Sequence, residues 1–584
     1  MKRSWIFTWL PGLLALAAVL ATAVPPGRTR GFDMDKFGRT PVLEGGRIKP
    51  LDSVARNALL MIRSKQSVSS EGRQIGPDEW MLDVLFRPAV ADAQPVFVIN
   101  DPDILGLMGL KQSANRYFSF DAIVPHIQEI ENQARAAEGL ESVQRSRFQN
   151  AVVNLYERLM LYNQLENSVQ LEDSPGLFME LQSLGSPQAV QRQKSLAEAA
   201  RFRILPPLPG QGPDAWLNTG EALLAAGSAQ PHPALLSLAM VGAGYKAGQP
   251  EPFNNGVAEL QGLTANIRPQ ALRHANSEIL FNRVQPFYLG MVIYVLALLT
   301  LFGSWLWRRD LLQPAAFSLL GAGALVHTTG LVSRILLQGR PPVTNLYSSA
   351  VFVGWAAVIL GVILERMYRK GFGTAVAASA GFASLIIAHH LAMEGDTMEM
   401  MRAVLDSNFW LATHVVSITI GYSGTFLAGI IAIAYTLRKH IAPDPDPATT
   451  RALVDMTYGI ICFALLFSFV GTVLGGIWAD QSWGRFWGWD PKENGALIIV
   501  IWNALILHAR WAGMVRQRGL MCLAVFGNIV TSWSWFGTNM LGIGLHAYGF
   551  TDAAFWWLSA FVASQLAIIA AANLPLGRWR SFRT

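Results

Sequence analysis

Residues 286–309 read PFYLGMVIYVLALLTLFGSWLWRR, an unbroken apolar run closed by a pair of arginines. A helix rises ~1.5 Å per residue, so ~20 apolar residues are what a ~30 Å hydrocarbon core requires. Runs of this kind recur to the end of the chain, at about 313–336, 346–364, 373–391, 409–436, 457–478, 495–512, 520–541 and 554–573. Together with the first they predict nine transmembrane helices, and so an all-α polytopic membrane protein. Composition agrees: the 584 residues are 52% hydrophobic and only 15% charged, with mean hydropathy +0.30. That balance suits a bilayer rather than water.

The charges between the runs give the expected orientation, because cytoplasmic loops collect Lys and Arg. Alternate loops are basic: Trp307-Arg308-Arg309, Glu365 to Lys370, Arg438-Lys439-His440, Arg510 to Arg518, and the tail Arg578 to Arg583. The loops between them hold 337–345, an acidic stretch with Glu394, Asp396, Glu399 and Asp406, a tryptophan-rich stretch at 478–494, and 542–553. These second loops are expected outside. The net charge of +6 therefore reports membrane orientation and gives no reason to expect nucleic-acid binding.

At the other end, Met1-Lys2-Arg3 followed by apolar residues Trp5 to Val24 is expected to be a signal anchor or a signal peptide, residues 1–24. Residues 25–283 then form an exported, mainly α-helical soluble domain, and 284–584 the multi-span part. The soluble domain opens on Gly- and Pro-rich sequence expected to be irregular, including Gly45-Gly46-Arg47. From about Ser113, apolar residues such as Ile127, Ile130 and Ala134, then Val152, Leu155 and Leu159, recur at helical spacing. His126, His232 and His274 are isolated and read as surface or core residues. With Cys462 and Cys522 as its only cysteines, both in apolar runs, the chain has no disulfide framework, no CxxC pair and no CxxCH haem-attachment site.

The stretch Trp478-Ala479-Asp480-Gln481-Ser482-Trp483-Gly484-Arg485-Phe486-Trp487-Gly488-Trp489-Asp490-Pro491-Lys492-Glu493 holds four tryptophans. An interfacial belt also gathers Trp. It does not account for the Asp-Pro-Lys-Glu ending, where flat apolar faces adjoin fixed charge. The stretch resembles the WWD signature of the haem-handling family that includes CcsA and ResC of system II cytochrome c maturation and the related system I proteins CcmC and CcmF. Two further segments join the resemblance. Residues 539–549, Asn539-Met540-Leu541-Gly542-Ile543-Gly544-Leu545-His546-Ala547-Tyr548-Gly549, match a family pattern except at Met540. Residues Gly339 to Ser348 match another, with Ser348 where the family has glutamate. Within the WWD stretch, Phe486 stands where Tyr is common. The resemblance covers roughly residues 313–573. Gly46 to Ser53 also looks like the opening of the exported domain in longer CcsA-like chains, with no chemical task attached.

The resemblance implies that His414, in Trp410-Leu411-Ala412-Thr413-His414, and His546 are external axial ligands of haem iron, for which paired imidazoles are well suited. His508 matches a family histidine credited with holding haem within the membrane. Its expected place, ~20 Å deep in its span, is costly for a titratable group without a task. His327 is the other histidine well inside a span and is the expected opposite ligand, with a helix-packing hydrogen bond as the ordinary alternative. Trp478, Trp483, Trp487, Trp489 and Asp490 are the expected cofactor platform, while His389 and His390 read as interfacial.

The implied activity is that of a haem lyase, or holocytochrome c synthase component, in the bacterial inner membrane. Haem b, held non-covalently, would be presented on the periplasmic side and joined through thioether bonds to the CxxCH thiols of apocytochrome c. A CcsB/ResB-like membrane subunit and a thiol-reducing protein are the expected partners beside the bilayer. The competing reading is a haem transporter or chaperone that delivers haem without forming the bond. A bare multi-span scaffold with a Trp belt is the third. No Ser/His/Asp or Cys/His arrangement points to a hydrolase.

Overall fold

Proline opens this chain's helices repeatedly: Pro77, Pro187, Pro233, Pro250, Pro286, Pro447 and Pro491 all stand in a first helical turn. Its missing N–H costs nothing there and its φ is already helical. The computed structural model describes residues 2–574 except 71, 111–115, 141–143, 228–229, 400–406, 442–445 and 542–551. The described residues are overwhelmingly helical, with three two-stranded antiparallel hairpins as their sheet content. They divide into two compact units: 1–22, 284–392 and 397–584 in one, 23–283 and 393–396 in the other.

The 23–283 unit corrects the expectation of an irregular opening. Strands Pro41–Glu44 and Arg47–Pro50 pair as a hairpin, with Val42 opposite Lys49, around Gly45 and Gly46 at φ 58° and 77°. Those left-handed angles are what a two-residue hairpin turn demands, and glycine adopts them freely. Helices Leu51–Arg63 and Pro77–Phe86 follow, well before the helical spacing that the sequence advertises. Further on, Ile127–Glu138 buries Ile130 and Ala134, and Arg147–Glu166 buries Val152, Leu155 and Leu159. Trp80, Tyr162, Phe97 and Phe253 are among the large side chains that fill the core. His232 caps the Pro233–Lys246 helix, its Nδ1 accepting from the Ala234 amide at 3.1 Å, a purely structural use.

The Gly46-to-Ser53 segment acquires a task here. Lys49, 1% exposed, donates from Nζ to Glu44 at 2.9 Å and Asp396 at 2.8 Å. Arg47 bonds Asp396 at 3.0 Å and Glu278, which Ser53 also bonds at 2.6 Å. Every buried charge in this cluster has an opposite partner, the condition under which buried charge is tolerated.

Among the described residues, eight helices are long and apolar enough to cross a membrane, the first of them running on from Pro269. We label the helices of the other unit α1 (Lys2–Ala21), α2 (Pro286–Leu306), α3 (Arg309–Gln338), α4 (Leu346–Tyr368), α5 (Phe372–Leu391), α6 (Val416–Ile441), α7 (Pro447–Trp483), α8 (Pro491–Trp511), α9 (Gln517–Trp535) and α10 (Asp552–Asn573). Helix α9 covers the expected span at 520–541 but stops at Trp535, passes into a 3-10 turn over Gly537–Leu541, and falls outside those eight. Its buried residues explain why: Asn528, Thr531, Ser532 and Ser534 face the bundle instead of lipid. Asn528 there bonds Gln565 of α10 at 2.9 Å, as polar side chains between apolar helices must. Helix α1 packs on α3 so closely that a Cβ at Gly12 would lie 2.4 Å from Ser318 Oγ.

Candidate functional site

The end of α7 and the start of α8 follow from local capping chemistry. Helix α7 closes on Gly484 in the left-handed region, φ 68°, its N–H donating to the Asp480 carbonyl at 2.8 Å. Six residues later Asp490 caps α8: its carboxylate accepts from the Lys492 amide at 2.9 Å, while Glu493 Oε2 accepts from the amides of Asp490 at 3.1 Å and Gly488 at 2.8 Å. Asp-Pro-Lys-Glu is thus a capping box with proline at the first helical position. Its carboxylates tie down the turn that carries Trp487 and Trp489.

His414 lines the same cleft as Trp487. Residues Leu411–Val415 form one turn of π-helix ahead of α6, an insertion that re-aims side chains and recurs at functional sites. The His414 Nδ1 lies 2.8 Å from the carbonyl of Gly471 on α7. A carbonyl only accepts, so Nδ1 carries the proton and Nε2 the lone pair in the neutral ring. The imidazole stands 5.6 Å from the Trp478 ring, centroid to centroid. Room for this comes from Gly471 and Gly475, one helical turn apart on α7. A Cβ at Gly471 would meet the Ile418 backbone at 2.7 Å, and one at Gly475 the His414 ring at 2.6 Å.

These groups line an open-sided cleft of about 1450 Å³ of empty space, part of it open to solvent. His414, Trp478, Trp483, Trp487 and Phe486 line it together with Tyr422, Lys492, Trp535 and Asn539. Asn345, which caps α4, reaches the rim, and Trp535 Nε1 donates to Ser349 at 3.0 Å. Ser348, standing where the resembling family has glutamate, completes the α4 capping box through its hydroxyl, 2.9 Å from the Asn345 amide. Five buried polar atoms of cleft-lining residues find no hydrogen-bond partner among the described residues: Thr344 Oγ1, Trp478 Nε1, Ser482 Oγ, Glu493 Oε1 and Asn539 Oδ1. A ligand that carries polar groups beside a flat apolar body can satisfy such atoms. A haem with an iron for imidazole, a macrocycle for tryptophan faces and carboxylates for the donors among these atoms, Thr344 Oγ1, Trp478 Nε1 and Ser482 Oγ, fits the cleft.

The expected site residues therefore separate into groups. His414, Trp478, Trp483 and Trp487 come together. Trp489 is 71% exposed at φ 59° and Asp490 is spent on the helix cap; neither lines the cleft. His327 is fully buried, its Nδ1 3.1 Å from Tyr294 Oη of α2 and its Nε2 3.1 Å from the Val351 carbonyl of α4. His508 is exposed on α8, within one turn of the helix end at Trp511, and so lies nearer that end than mid-layer. Its Nδ1 bonds the Ala504 carbonyl at 2.9 Å, and no contact joins it to His327 among the described residues. His546 lies outside the described residues. The residues that sequence reading passed over are Tyr422, Lys492, Glu493, Trp535 and Asn539. Lys492 and Glu493 carried a signal as charges adjoining the tryptophans, and Asn539 as the first residue of the 539–549 family pattern.

Residues 343–546 match the family model described as cytochrome c assembly protein. Among curated relatives, the protein NrfI of Wolinella succinogenes is 25% identical over 536 residues, which are 87% of this chain and 53% of that protein. The cytochrome c biogenesis protein CcsA of Synechococcus sp. (strain CC9902) is 29% identical over 296 residues, 45% of this chain and 95% of that protein. CcsA of Parasynechococcus marenigrum is 29% identical over 264 residues, 40% of this chain and 85% of its own length. The chain thus spans about half the length of NrfI but nearly all of the shorter CcsA relative. The residues that line the cleft all fall within the matched segment, so residues 343–546 resemble the cytochrome c assembly family and the chain is similar to CcsA and NrfI proteins.

Proposed function

We propose that this protein serves cytochrome c biogenesis in the bacterial inner membrane, holding haem b non-covalently in the cleft on the periplasmic side and promoting its attachment to apocytochrome c. The observation that carries the reading is the His414 imidazole, oriented by the Gly471 carbonyl beside Trp478 in an open-sided cleft. Haem bound there supplies the vinyl groups to which the two CxxCH thiols add. The chain's own residues orient and shelter it: His414 offers Nε2 to the iron, Trp478, Trp483 and Trp487 cover the macrocycle, and the Asp490–Glu493 cap holds the tryptophan turn rigid. Such positioning is worth a large share of a bond-forming barrier when the chemistry belongs to cofactor and thiol. His546 is the proposed second ligand, by its place in the family motif. His508 faces the membrane as the proposed internal contact, and a CcsB/ResB-like subunit and a thiol-reducing protein are the proposed partners.

The test is the absorption spectrum of the purified protein and of its His414→Ala and His546→Ala variants, with and without imidazole. A bis-histidine b-type spectrum, lost in each variant and restored by imidazole, is expected. Unchanged spectra in both variants overturn the ligand assignment. Co-expression with an apocytochrome and a stain for covalent haem separates attachment from delivery.

A further inference from the structure

The cleft holds a charge that the ligation of an iron does not use. We propose that Lys492 anchors a carboxylate of the ligand in the cleft, and so fixes which edge of a haem macrocycle enters it. This assignment rests on the haem-binding reading above.

Lys492 is the second residue of α8, half-buried, and lines the cleft. Its Nζ donates to the carbonyls of Ser534 at 3.1 Å and Trp535 at 2.6 Å, the last two residues of α9. An ammonium has three N–H groups, and these two carbonyls account for two of them. The Asp490 carboxylate acts on this ammonium through its charge but is engaged at the Lys492 amide; the carbonyls offer dipoles, not a neutralising charge. The neighbouring acid is already spoken for. Glu493 Oε2 holds the amides of Gly488 and Asp490, and its Oε1 lies 3.8 Å from the Arg485 guanidinium.

The surroundings also favour an anion. Trp478 Nε1 and Ser482 Oγ add buried groups able to donate and without a partner among the described residues. An uncharged ligand would shut the ammonium into the cleft with only these carbonyl bonds, whereas a carboxylate pairs it through a charge-assisted bond. Haem has its two carboxylates on one edge and its vinyl groups away from them. Anchoring that edge at Lys492 therefore leaves the vinyl-bearing part for the open side, where a thiol arriving from another protein has access.

The experiment compares haem with haem dimethyl ester, which keeps iron and macrocycle but masks both carboxylates. Each is titrated into the full-length purified protein and followed by Soret absorption. Wild type is expected to prefer haem by at least about tenfold, the scale of one charge-assisted bond. Lys492→Met is expected to lose the preference while binding the ester as wild type does, which also shows that it folds. Lys492→Arg is expected to keep it. If Lys492→Met does not fold, Lys492→Gln, which can still donate to one carbonyl, takes its place. Equal affinity of wild type for the two compounds, or an undiminished preference in the substituted protein, overturns the Lys492 assignment alone. Uptake of neither compound by wild type overturns the haem-binding reading, and this assignment with it.

Discussion

His414 lies directly on the backbone of Gly475: a Cβ built on that glycine would stand 2.6 Å from the ring's Cε1 and 2.9 Å from Nδ1. The imidazole position thus depends on a missing side chain on the opposing helix. Gly475→Ala is expected to push the ring out of register and break its bond to Gly471. Over-packing of this kind costs ~1–3 kcal/mol, which corresponds to roughly tenfold to hundredfold weaker haem binding if the ring yields. Gly459→Ala, on the same helix with nothing within 4 Å, is the control and is expected to bind haem as wild type does. Haem titration of the two variants checks this.

His327 gives both ring nitrogens to packing partners, Tyr294 and the Val351 carbonyl. Removing the ring leaves a hydroxyl and a carbonyl unsatisfied between α2 and α4, at a cost of ~2–4 kcal/mol. His327→Ala is therefore expected to lower the melting temperature and the yield, with the haem-to-protein ratio of the folded fraction unchanged. A lowered ratio at normal stability would return His327 to the role of internal ligand.

The 23–283 unit carries a pH dependence of its own. Burial pushes the Glu166 carboxyl up to about 8 and the Asp92 carboxyl, bonded by Tyr162, up to about 6. Nearby Glu172 raises both, and Asp121 raises Asp92 further. An acid with a raised folded-state pKa binds its proton more tightly folded than unfolded. Stability is then highest below the ordinary value of 4.5 and falls as pH rises to about 8, where folded Glu166 finally ionises. Thermal unfolding of the intact protein is expected to show this unit melting earlier at pH 8 than at pH 6. Glu166→Gln should flatten that difference.

A reporter fused near Gly488 is expected to be active outside the cytoplasm and one fused near Pro443 inside it, because alternate loops collect the arginines and lysines. The reverse pattern at either position would put the cleft on the wrong side for an exported apocytochrome.

The membrane class was legible because hydrocarbon imposes one requirement, ~20 apolar residues per crossing, that composition alone satisfies or fails. Helix α9 marks the limit of that logic. Its Asn528 and Ser534 are paid for by Gln565, Lys492 and Tyr422 on other helices, so its hydropathy underrates it. The hairpin at Gly45 escaped for the opposite reason, since four-residue strands are too short for a period to register.

At the cleft, the tryptophan stretch and the context of His414 could be read directly, because local motifs survive in one dimension. Which of those side chains meet could not. Asp490 looked like a ligand-facing charge and is a helix cap; Lys492, beside it, points its amine across to the end of α9. His327 looked like an iron ligand because depth makes a histidine expensive, yet two neighbouring helices satisfy both nitrogens. The sequence by itself determined the helices, their number within one, and the residue types able to hold a macrocycle. Only the tertiary structure decided which polar atoms are already satisfied, because a buried donor or acceptor is free for function only when packing has brought it no partner, and those partners come from distant parts of the chain.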